Sequence, residues 1–425
     1  MTTGVGALPP AHMAVRWRMA LLLCLITTIN YVDRTAFSFA TPTLQAEFGF
    51  DKADIGDIGF AFLVAYAIGQ LLAGPIVDRF GVKRTYAFGV AAWSLACMAH
   101  ALGQGVRSFG VARLALGLGE AINFPAAFKA VAEWFPRVER SIAVALVTMG
   151  VGLGMILTPP IVGQLIFHLG WQWAFIVPGI MGLLWLVLWQ RLYHAPENHP
   201  ALGVGERGLI LEQRDEAPGA QTPLRELLRL PETWVLMASR FVADGAFYFI
   251  LVFLPTYLTE ARGFELRDLA VWGWLPFLFA DIGSFTGGWM STRLMRRGWS
   301  IARARAVPMW LGAGLAIAAF PAAYTSSLVL CFALICVTLF AIQFKQASLF
   351  SLPADLFPAR DVATVWGVFG AAGSIGGALF SSFSGRLAEA AGYLPVFAIV
   401  ASMHLVSAAI AMLALRQLAR RHARS

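Results

Sequence analysis

Two adjacent residues of opposite charge, Asp33 and Arg34, lie inside an otherwise apolar stretch near the start of the chain. A guanidinium group stays charged and matches a carboxylate with two parallel hydrogen bonds, whereas a carboxyl group can carry a proton. Adjacent residues of a helix point about 100° apart, so these side chains can face different partners. We expect Arg34 to bind the carboxylate of a small anion and Asp33 to carry a proton. The alternative is a salt-bridged pair that only locks helices together.

A third charge, Lys345, lies in a later apolar stretch between Gln343 and Gln346. A desolvated ammonium group needs an anion nearby. If Lys345 faces a cavity with the two glutamines, it would join the arginine in binding a substrate with two carboxylates, or with one carboxylate and several hydroxyl groups. The alternative is an ion pair between this lysine and Asp244 or Asp281.

These charges stand out because the chain is strongly apolar: 58% of its 425 residues are hydrophobic and 13% are charged. A soluble globular protein is nearer half apolar and a quarter charged. Apolar stretches of about 20 residues recur along the chain, which is the length that crosses a hydrocarbon core about 30 Å thick. Because no water in that core can satisfy the backbone, these stretches are predicted to be helices.

The sequence therefore predicts an all-α membrane protein with twelve transmembrane helices. An ionised group inside such a helix costs about 2.5–3.5 kcal/mol on insertion scales, so it is a functional candidate. The predicted spans, in chain order, are 17–40, 55–77, 83–104, 108–133, 140–167, 171–193, 232–260, 269–292, 304–324, 327–353, 362–388 and 393–416.

The chain has a formal net charge of +8, and most of its 32 lysine and arginine residues fall in loops on the side of the N-terminus. By the positive-inside rule this side is cytoplasmic. We therefore expect both termini in the cytoplasm and a multi-pass protein of the bacterial inner membrane. The basic excess then marks topology, with membrane lipid as a partner and no nucleic acid.

Other classes of protein find little support. The four cysteines all lie in apolar segments without a C-x-x-C pair, so we expect no metal site and no cofactor. The sequence shows neither a phosphate-binding P-loop nor a paired-histidine motif, and it does not suggest a convergent nucleophile and base. These features argue against an ATP-driven pump and against an integral-membrane enzyme.

A polar segment with several prolines divides the chain into two related halves. The EWFP stretch from Glu133 matches the DLFP stretch from Asp355, and GPIVDR from Gly74 matches GWMSTR from Gly288. Two related six-helix bundles with a site between them are the plan of many secondary transporters. The predicted regions are a cytoplasmic tail at 1–14, bundles at 15–193 and 232–418, a cytoplasmic linker at 194–231 and a tail at 419–425.

The stretch Gly74–Arg84, GPIVDRFGVKR, resembles the cytoplasmic loop signature of the major facilitator superfamily. In that family the aspartate and arginines of this loop clamp the two bundles in one conformation. The second copy of the loop has Thr292 where aspartate is usual, which weakens the clamp of the C-terminal half. The cytoplasmic gate is therefore expected to comprise Asp78, Arg79, Arg84, Glu133, Arg140 and Asp355.

The anion:cation symporter branch of that superfamily is similar to this chain over Asn30–Arg34 (NYVDR) and Gly119–Ala121 (GEA). Its hexuronate transporter group is similar over Lys129–Pro136, Trp274–Leu278 and Leu352–Pro358. The branch takes up sugar acids and other organic anions with protons, and the resemblance covers nearly the whole chain. It implies a monomeric secondary transporter that carries a hexuronate or related sugar acid with protons by alternating access.

The same resemblance implies further roles. Glu120 would be a second proton-coupled carboxylate, with Arg113 on the same helical face as its partner, and helix packing is the alternative for Arg113. Tyr31 and Tyr66 match positions that contact substrate in the branch. Aromatic core packing is the alternative for Tyr66.

The chain departs from the hexuronate pattern where substrate choice should be decided. It has Val147-Thr148-Met149 where Phe-Asn-Ser is usual, and Lys345 where tryptophan is usual. A carrier of dicarboxylates or aromatic acids, or an anion exchanger, therefore stays open within this fold. A membrane sensor that binds solute without moving it is a further alternative.

Overall fold

The computed structural model is almost entirely helical. It describes residues 14–50, 52–212, 222–258, 262–263 and 272–422. Parts of five predicted regions lie outside the described residues: the tails at 1–13 and 423–425, the linker at 213–221, the end of the seventh span at 259–260 and the start of the eighth at 269–271.

The helices of the first half follow the predicted spans one to six. They are α1 (Val15–Phe48), α2 (Lys52–Phe80), α3 (Val82–Ala99), α4 (Val106–Glu120), α5 (Asn123–Trp134), α6 (Arg140–Leu169) and α7 (Trp173–Leu192). Two short helices follow in the connecting segment, α8 (Val204–Glu212) and α9 (Leu224–Leu227).

The helices of the second half follow spans seven to twelve. They are α10 (Pro231–Thr256), α11 (Leu275–Arg296), α12 (Ile301–Leu315), α13 (Ala319–Tyr324), α14 (Leu328–Leu349), α15 (Leu352–Leu356), α16 (Val362–Ala391) and α17 (Tyr393–His422). The twelve-helix membrane fold predicted from the sequence is confirmed.

Two of the predicted spans are broken just before a proline. Proline has no N–H to donate, and its ring clashes with the carbonyl group four residues earlier. The prediction of one continuous helix over 108–133 was wrong, because the chain turns at Ala121 and Ile122, ahead of Pro125. In the tenth span, α14 ends at Leu349, four residues before Pro353.

By length and composition alone, nine of the described helices can cross a membrane. The other predicted spans are α4 with α5, α10 and α11. Each of these carries charged side chains along its length, among them Glu120, Arg240 and Asp281. A span that carries such charges must bury them against neighbouring helices, which is where the candidate site lies.

The same helix pairings occur in both halves. In the first half, α1 packs on α6, α2 on α4 and α3 on α7. In the second half, α10 packs on α16, α11 on α14 and α12 on α17. The two halves meet where α2 packs on α16 and α6 on α11. α5 also packs on α16 across this interface. The two bundles are related by pseudo-symmetry.

Asp78 ties the two bundles together on the terminal side, by which we mean the membrane side where the chain enters α1 and leaves α17. Its carboxylate accepts hydrogen bonds from the backbone N–H groups of Ala363 at 3.2 Å and Thr364 at 2.6 Å. These N–H groups lie in the first turn of α16 and have no partner within the helix, so Asp78 acts as an N-cap from the opposite bundle. Lys129 of α5 adds an ion pair to Asp78 at 2.6 Å.

A second set of contacts joins the bundles on the same side. Arg140 donates to the carbonyl oxygen of Ala354 at 2.5 Å and lies 3.8 Å from the Asp355 carboxylate. Arg305, which is fully buried, pairs with Asp355 at 2.8 Å and reaches the carbonyl oxygen of Arg137 at 3.1 Å. The terminal side is therefore closed in this conformation.

Two residues predicted to form this gate, Arg79 and Arg84, make no contact between the bundles among the described residues. Arg79 is exposed with its guanidinium over the ring of Phe80, and Arg84 is exposed. Glu133 accepts a hydrogen bond from Tyr193 of its own bundle. The sequence placed these charges at the right membrane level, but level alone does not set the direction in which a helix presents a side chain.

The structure predicts that Asp78→Ala opens the terminal side. Loss of the helix cap and of the Lys129 pair should cost about 1–3 kcal/mol, a shift of roughly 5- to 150-fold in the conformational equilibrium. Electron paramagnetic resonance distances between spin labels at the exposed positions Arg84 and Arg297, one in each bundle, would measure this. Arg79→Ala should leave the distances as in the parent protein, and an unchanged Asp78→Ala distribution would contradict the cap.

Candidate functional site

A large cavity lies between the bundles, lined by α1, α2, α6, α10 and α16. Its volume is about 720 Å³, and its polar lining includes Tyr31, Arg34, Tyr66, Tyr248 and Ser374. Ser38 and Phe60 also line it, and both lie beyond Arg34 and Tyr66 in the direction away from the terminal side. The cavity therefore extends from the middle of the membrane toward the face opposite the termini.

A smaller compartment of about 60 Å³ continues the cavity inward. It shares Tyr31, Tyr66, Tyr248 and Ser374 with the larger one, and we call the two together the chamber. The inner compartment adds polar side chains from both bundles, namely Gln70, Thr148, Arg240, Asp244, Gln343 and Gln346.

Arg34 presents its charge to the chamber while holding a partner behind it. Its Nε donates to the Glu120 carboxylate at 2.9 Å, and Glu120 is fully buried whereas the Arg34 side chain is 16% exposed. The guanidinium carbon lies 4.8 Å and 4.4 Å from the ring centroids of Tyr31 and Tyr66. Aromatic faces stabilise a cation without neutralising it, so Arg34 stays available to an anion that enters the chamber.

Arg113 is not the ion-pair partner that the resemblance assigned to Glu120. Its two terminal nitrogens donate to the backbone carbonyl oxygen of Arg34 at 3.3 and 3.4 Å, and its guanidinium lies 4.4 Å from the ring centroid of Phe37. Arg34 takes the place beside Glu120 instead, because it reaches across from α1. Arg113 thus holds the backbone that carries Arg34.

Asp33 is fully buried on another face of α1 and does not line the chamber. Its Oδ1 accepts a hydrogen bond from the Cys97 thiol at 3.7 Å, and Oδ2 has no hydrogen-bond partner among the described residues. The salt bridge between Asp33 and Arg34 that was the alternative is not formed. An ionisable group inside a membrane span is rare and is a functional candidate by default.

The second bundle contributes an arginine of its own, for which no role was predicted. Arg240 of α10 pairs with Asp244 at 2.5 Å, one helical turn along, and Gln346 donates to the same carboxylate at 3.4 Å. The guanidinium carbon lies 4.1 Å from the ring centroid of Phe350. The position of Arg240 inside an apolar span could have marked it as a site candidate. The structure shows that Arg240 lines the inner compartment.

Lys345 faces away from the chamber. It is fully buried, and its Nζ donates to the Ser407 hydroxyl of α17 at 2.9 Å. Both expectations for Lys345 therefore fail in this conformation, since it neither lines the cavity nor forms a salt bridge with Asp244 or Asp281. Asp281 lies against Gly152 of α6, where an added Cβ would meet its carboxyl group.

Four of the residues expected to contact substrate lie around the chamber. Tyr31, Tyr66, Gln343 and Gln346 all line the inner compartment. Within the described part of the chain, no group of three or more His, Cys, Asp or Glu side chains is arranged to hold a metal ion. What the chamber offers is one cation from each bundle, each with a carboxylate partner, among tyrosine hydroxyls and amides. Such a lining suits an acid that also carries hydroxyl groups.

Comparisons with known proteins identify the family and several relatives. Residues 23–381 match the Major Facilitator Superfamily. The chain is 32% identical over 401 residues to the hexuronate transporter of Escherichia coli strain K12, covering 93% of each protein. It is 28% identical over 396 residues to the probable galactarate/D-glucarate transporter GudP of Bacillus subtilis strain 168, covering 89% of this chain and 87% of that one.

The fold has also been seen in solved structures. The crystal structure of the human organic anion transporter MFSD10 superposes with a TM-score of 0.73 at 17% identity, covering 95% of this chain and 100% of that one. At this identity the likeness concerns the fold. Together with the family match and the curated relatives, it places this chain in the Major Facilitator Superfamily, as a multi-pass membrane transporter and not an enzyme.

Proposed function

We propose that this protein is a proton-coupled symporter that carries a hexuronate or related sugar acid across the bacterial inner membrane by alternating access. One observation carries the proposal: Arg34 faces the chamber while its only described carboxylate partner, Glu120, is sealed behind it. Relatives that transport hexuronates and sugar acids support the substrate class.

Substrate binding would compete with the Arg34–Glu120 pair. A guanidinium group binds one carboxylate best in a two-pronged geometry. Glu120 holds Arg34 through Nε, so a substrate carboxylate that draws the guanidinium into the chamber pulls it away from Glu120. Tyr31, Gln343 and Gln346 could then donate to or accept from the hydroxyl groups of the sugar.

Proton coupling would arise because Glu120 loses its ion pair with Arg34 when the substrate binds. Once Arg34 turns to the substrate, an ionised Glu120 would be left buried without its cation, which is strongly unfavourable. Taking up a proton removes the penalty. Asp33, fully buried on α1 next to Arg34, would provide a second proton site that does not touch the substrate.

Transport requires the terminal side to open. The Asp78 and Asp355 contacts close that side here, and the positive-inside rule places it in the cytoplasm. The conformation therefore corresponds to one that receives substrate from outside the cell. Each net positive charge moved inward gains about 2.3 kcal/mol per 100 mV, so two protons per monoanion would add the membrane potential to the pH gradient.

Uptake by the purified protein in liposomes tests the proposal. We expect an acidic exterior to drive accumulation of galacturonate or glucuronate, and a protonophore to abolish it. A panel of aldonates, aldarates, dicarboxylates and aromatic acids would define the preference by competition. Specific binding without uptake would indicate a sensor, and accumulation that needs an internal anion but no pH gradient would indicate an exchanger.

A second candidate substrate class is favoured by Arg240. Because Arg34 and Arg240 line one chamber from opposite bundles, a sugar diacid could place one carboxylate at each. Arg240→Gln should then raise the KM for galactarate or D-glucarate by roughly 10- to 150-fold, the value of one hydrogen-bonded charge pair at about 1.5–3 kcal/mol.

The control for this prediction is the monoacid. Galacturonate uptake by Arg240→Gln should change far less than diacid uptake. The single change leaves Asp244 without its cation. The double variant Arg240→Gln/Asp244→Asn tests whether that unpaired aspartate causes any loss of uptake that both substrates share. Equal losses for monoacid and diacid in both variants would contradict a carboxylate-binding role for Arg240.

A further inference from the structure

A separate cavity of about 410 Å³ lies on the terminal side, outside the chamber, where the start of α1 meets the end of α7. We call it the interfacial groove. Its lining includes Arg18, Leu21, Leu25, Arg191, His194 and His199. Its level is the boundary between the membrane and the aqueous phase, because the apolar parts of α1 and α7 begin and end there.

The groove is positively charged, and its two arginines form no ion pair within the described part of the chain. Arg18 and Arg191 are exposed, and neither has an ion pair or side-chain hydrogen bond within the described part of the chain. The neighbouring Arg16 contrasts with them, since it is buried and pairs with Glu139 at 2.7 Å and Glu206 at 2.8 Å. The nearby carboxylates of Glu139 and Glu206 are thus already paired with Arg16. No acidic residue lines the groove.

His199 is held in a fixed orientation in the polar wall of the groove. His199 is bonded through both ring nitrogens, to the carbonyl oxygen of Leu192 at 3.1 Å and the N–H of Ala201 at 3.2 Å. Burial lowers the pKa of His199 below its ordinary value, and the nearby His194 and Arg207 act in the same direction while Glu206 opposes them. The fixed positive charge of the groove therefore comes from its two arginines.

The remaining wall is apolar and open to the surrounding lipid. Leu21, Leu25 and Leu192 are each exposed by nearly half of their surface. An arginine pair above such a wall matches a molecule with an anionic head and a hydrocarbon tail. Basic pockets of this kind between transmembrane helices recognise anionic lipid headgroups.

We infer that the interfacial groove binds an anionic glycerophospholipid, with its phosphate at Arg18 and Arg191 and an acyl chain along Leu21, Leu25 and Leu192. Residues 1–13 cannot supply a side-chain carboxylate to Arg18 and Arg191, because they contain no acidic side chain. The groove shares no lining residue with the chamber, so the inference stands apart from the choice of substrate.

Native mass spectrometry of the full-length protein tests it. After delipidation and titration with phosphatidylglycerol or phosphatidylcholine of matched chains, the protein should retain phosphatidylglycerol at least tenfold more. The variant Arg18→Gln/Arg191→Gln should lose that preference. The matched control is Arg84→Gln/Arg297→Gln, which removes two exposed arginines of the same membrane side away from the groove and should keep it.

Inorganic phosphate separates a lipid site from a site for free anions. Excess phosphate should not displace phosphatidylglycerol, because it cannot use the apolar wall. Displacement by phosphate would overturn the lipid assignment in favour of an anion site. Equal retention by the groove variant and the control variant, both verified as folded by size-exclusion chromatography, would overturn the location.

Discussion

Arg34→Gln is expected to abolish sugar-acid uptake and to weaken substrate binding by roughly 30- to 150-fold. The estimate rests on a charge-assisted interaction of about 2–3 kcal/mol, since glutamine keeps hydrogen-bonding groups but removes the charge. Arg34 is the side chain of the first bundle that combines a positive charge with exposure to the chamber. Binding by isothermal calorimetry and uptake in liposomes would measure the two losses separately.

Two further variants show whether the charge or the geometry matters. Arg34→Lys keeps the charge but not the planar two-pronged donor set, so binding should fall less than in Arg34→Gln. Arg34→Gln with Glu120→Gln removes the carboxylate that the single change leaves buried and unpaired. If the double variant regains normal substrate affinity, the loss came from the stranded Glu120, and Arg34 is not a substrate ligand.

Asp33→Asn is expected to abolish accumulation driven by a pH gradient while substrate counterflow partly survives. Asp33 is buried outside the chamber, so the amide should leave the substrate contacts in place and remove a titrating group. Uptake against a gradient then falls to the equilibrium level, whereas exchange of labelled for unlabelled substrate needs no net proton movement. Both assays can be run on the same liposomes.

Cys97→Ala is the matched control for Asp33→Asn. It removes the thiol that donates to Asp33 but keeps the carboxyl group, so accumulation should persist. Loss of both accumulation and counterflow in a folded Asp33→Asn protein would count against a coupling role. It would point instead to a structural requirement for Asp33 in the packing of α1 on α3.

The fold was largely predictable because the membrane restricts the choices. Span length and backbone satisfaction dictate helices, and the repeated motifs at Glu133 and Asp355 indicate two related halves. The breaks ahead of Pro125 and Pro353 were not predicted. Proline alone does not specify them, because Pro75, Pro178 and Pro308 lie inside unbroken helices.

The errors at the site concern the direction of side chains around a helix. Gln343 and Gln346 are three residues apart and share a face, so both line the chamber. Lys345 lies about 200° from Gln343 and about 100° from Gln346, which turns it toward Ser407 of α17. Helical geometry could have separated Lys345 from the glutamines, whereas its partner on α17 could not be known from the sequence.

Tertiary contacts decided the pairing of charges. Arg113 and Glu120 share a helical face, yet Arg34 of another helix takes the carboxylate. Arg240 and Asp244 are only one turn apart, and here the local pair does form. The four-residue spacing puts Arg240 beside Asp244. Arg113 lies about two turns from Glu120, and α1 brings a competing cation to that carboxylate.

The most direct test of the central claim is a count of protons bound with the substrate. Binding of a transported sugar acid would be measured by calorimetry at one pH in buffers of different ionisation enthalpy, for the parent protein and for Glu120→Gln. If the substrate displaces Glu120 from Arg34, the parent protein takes up a proton on binding and Glu120→Gln does not. Binding without proton uptake by the parent protein, or uptake that is unchanged in Glu120→Gln, would contradict the account.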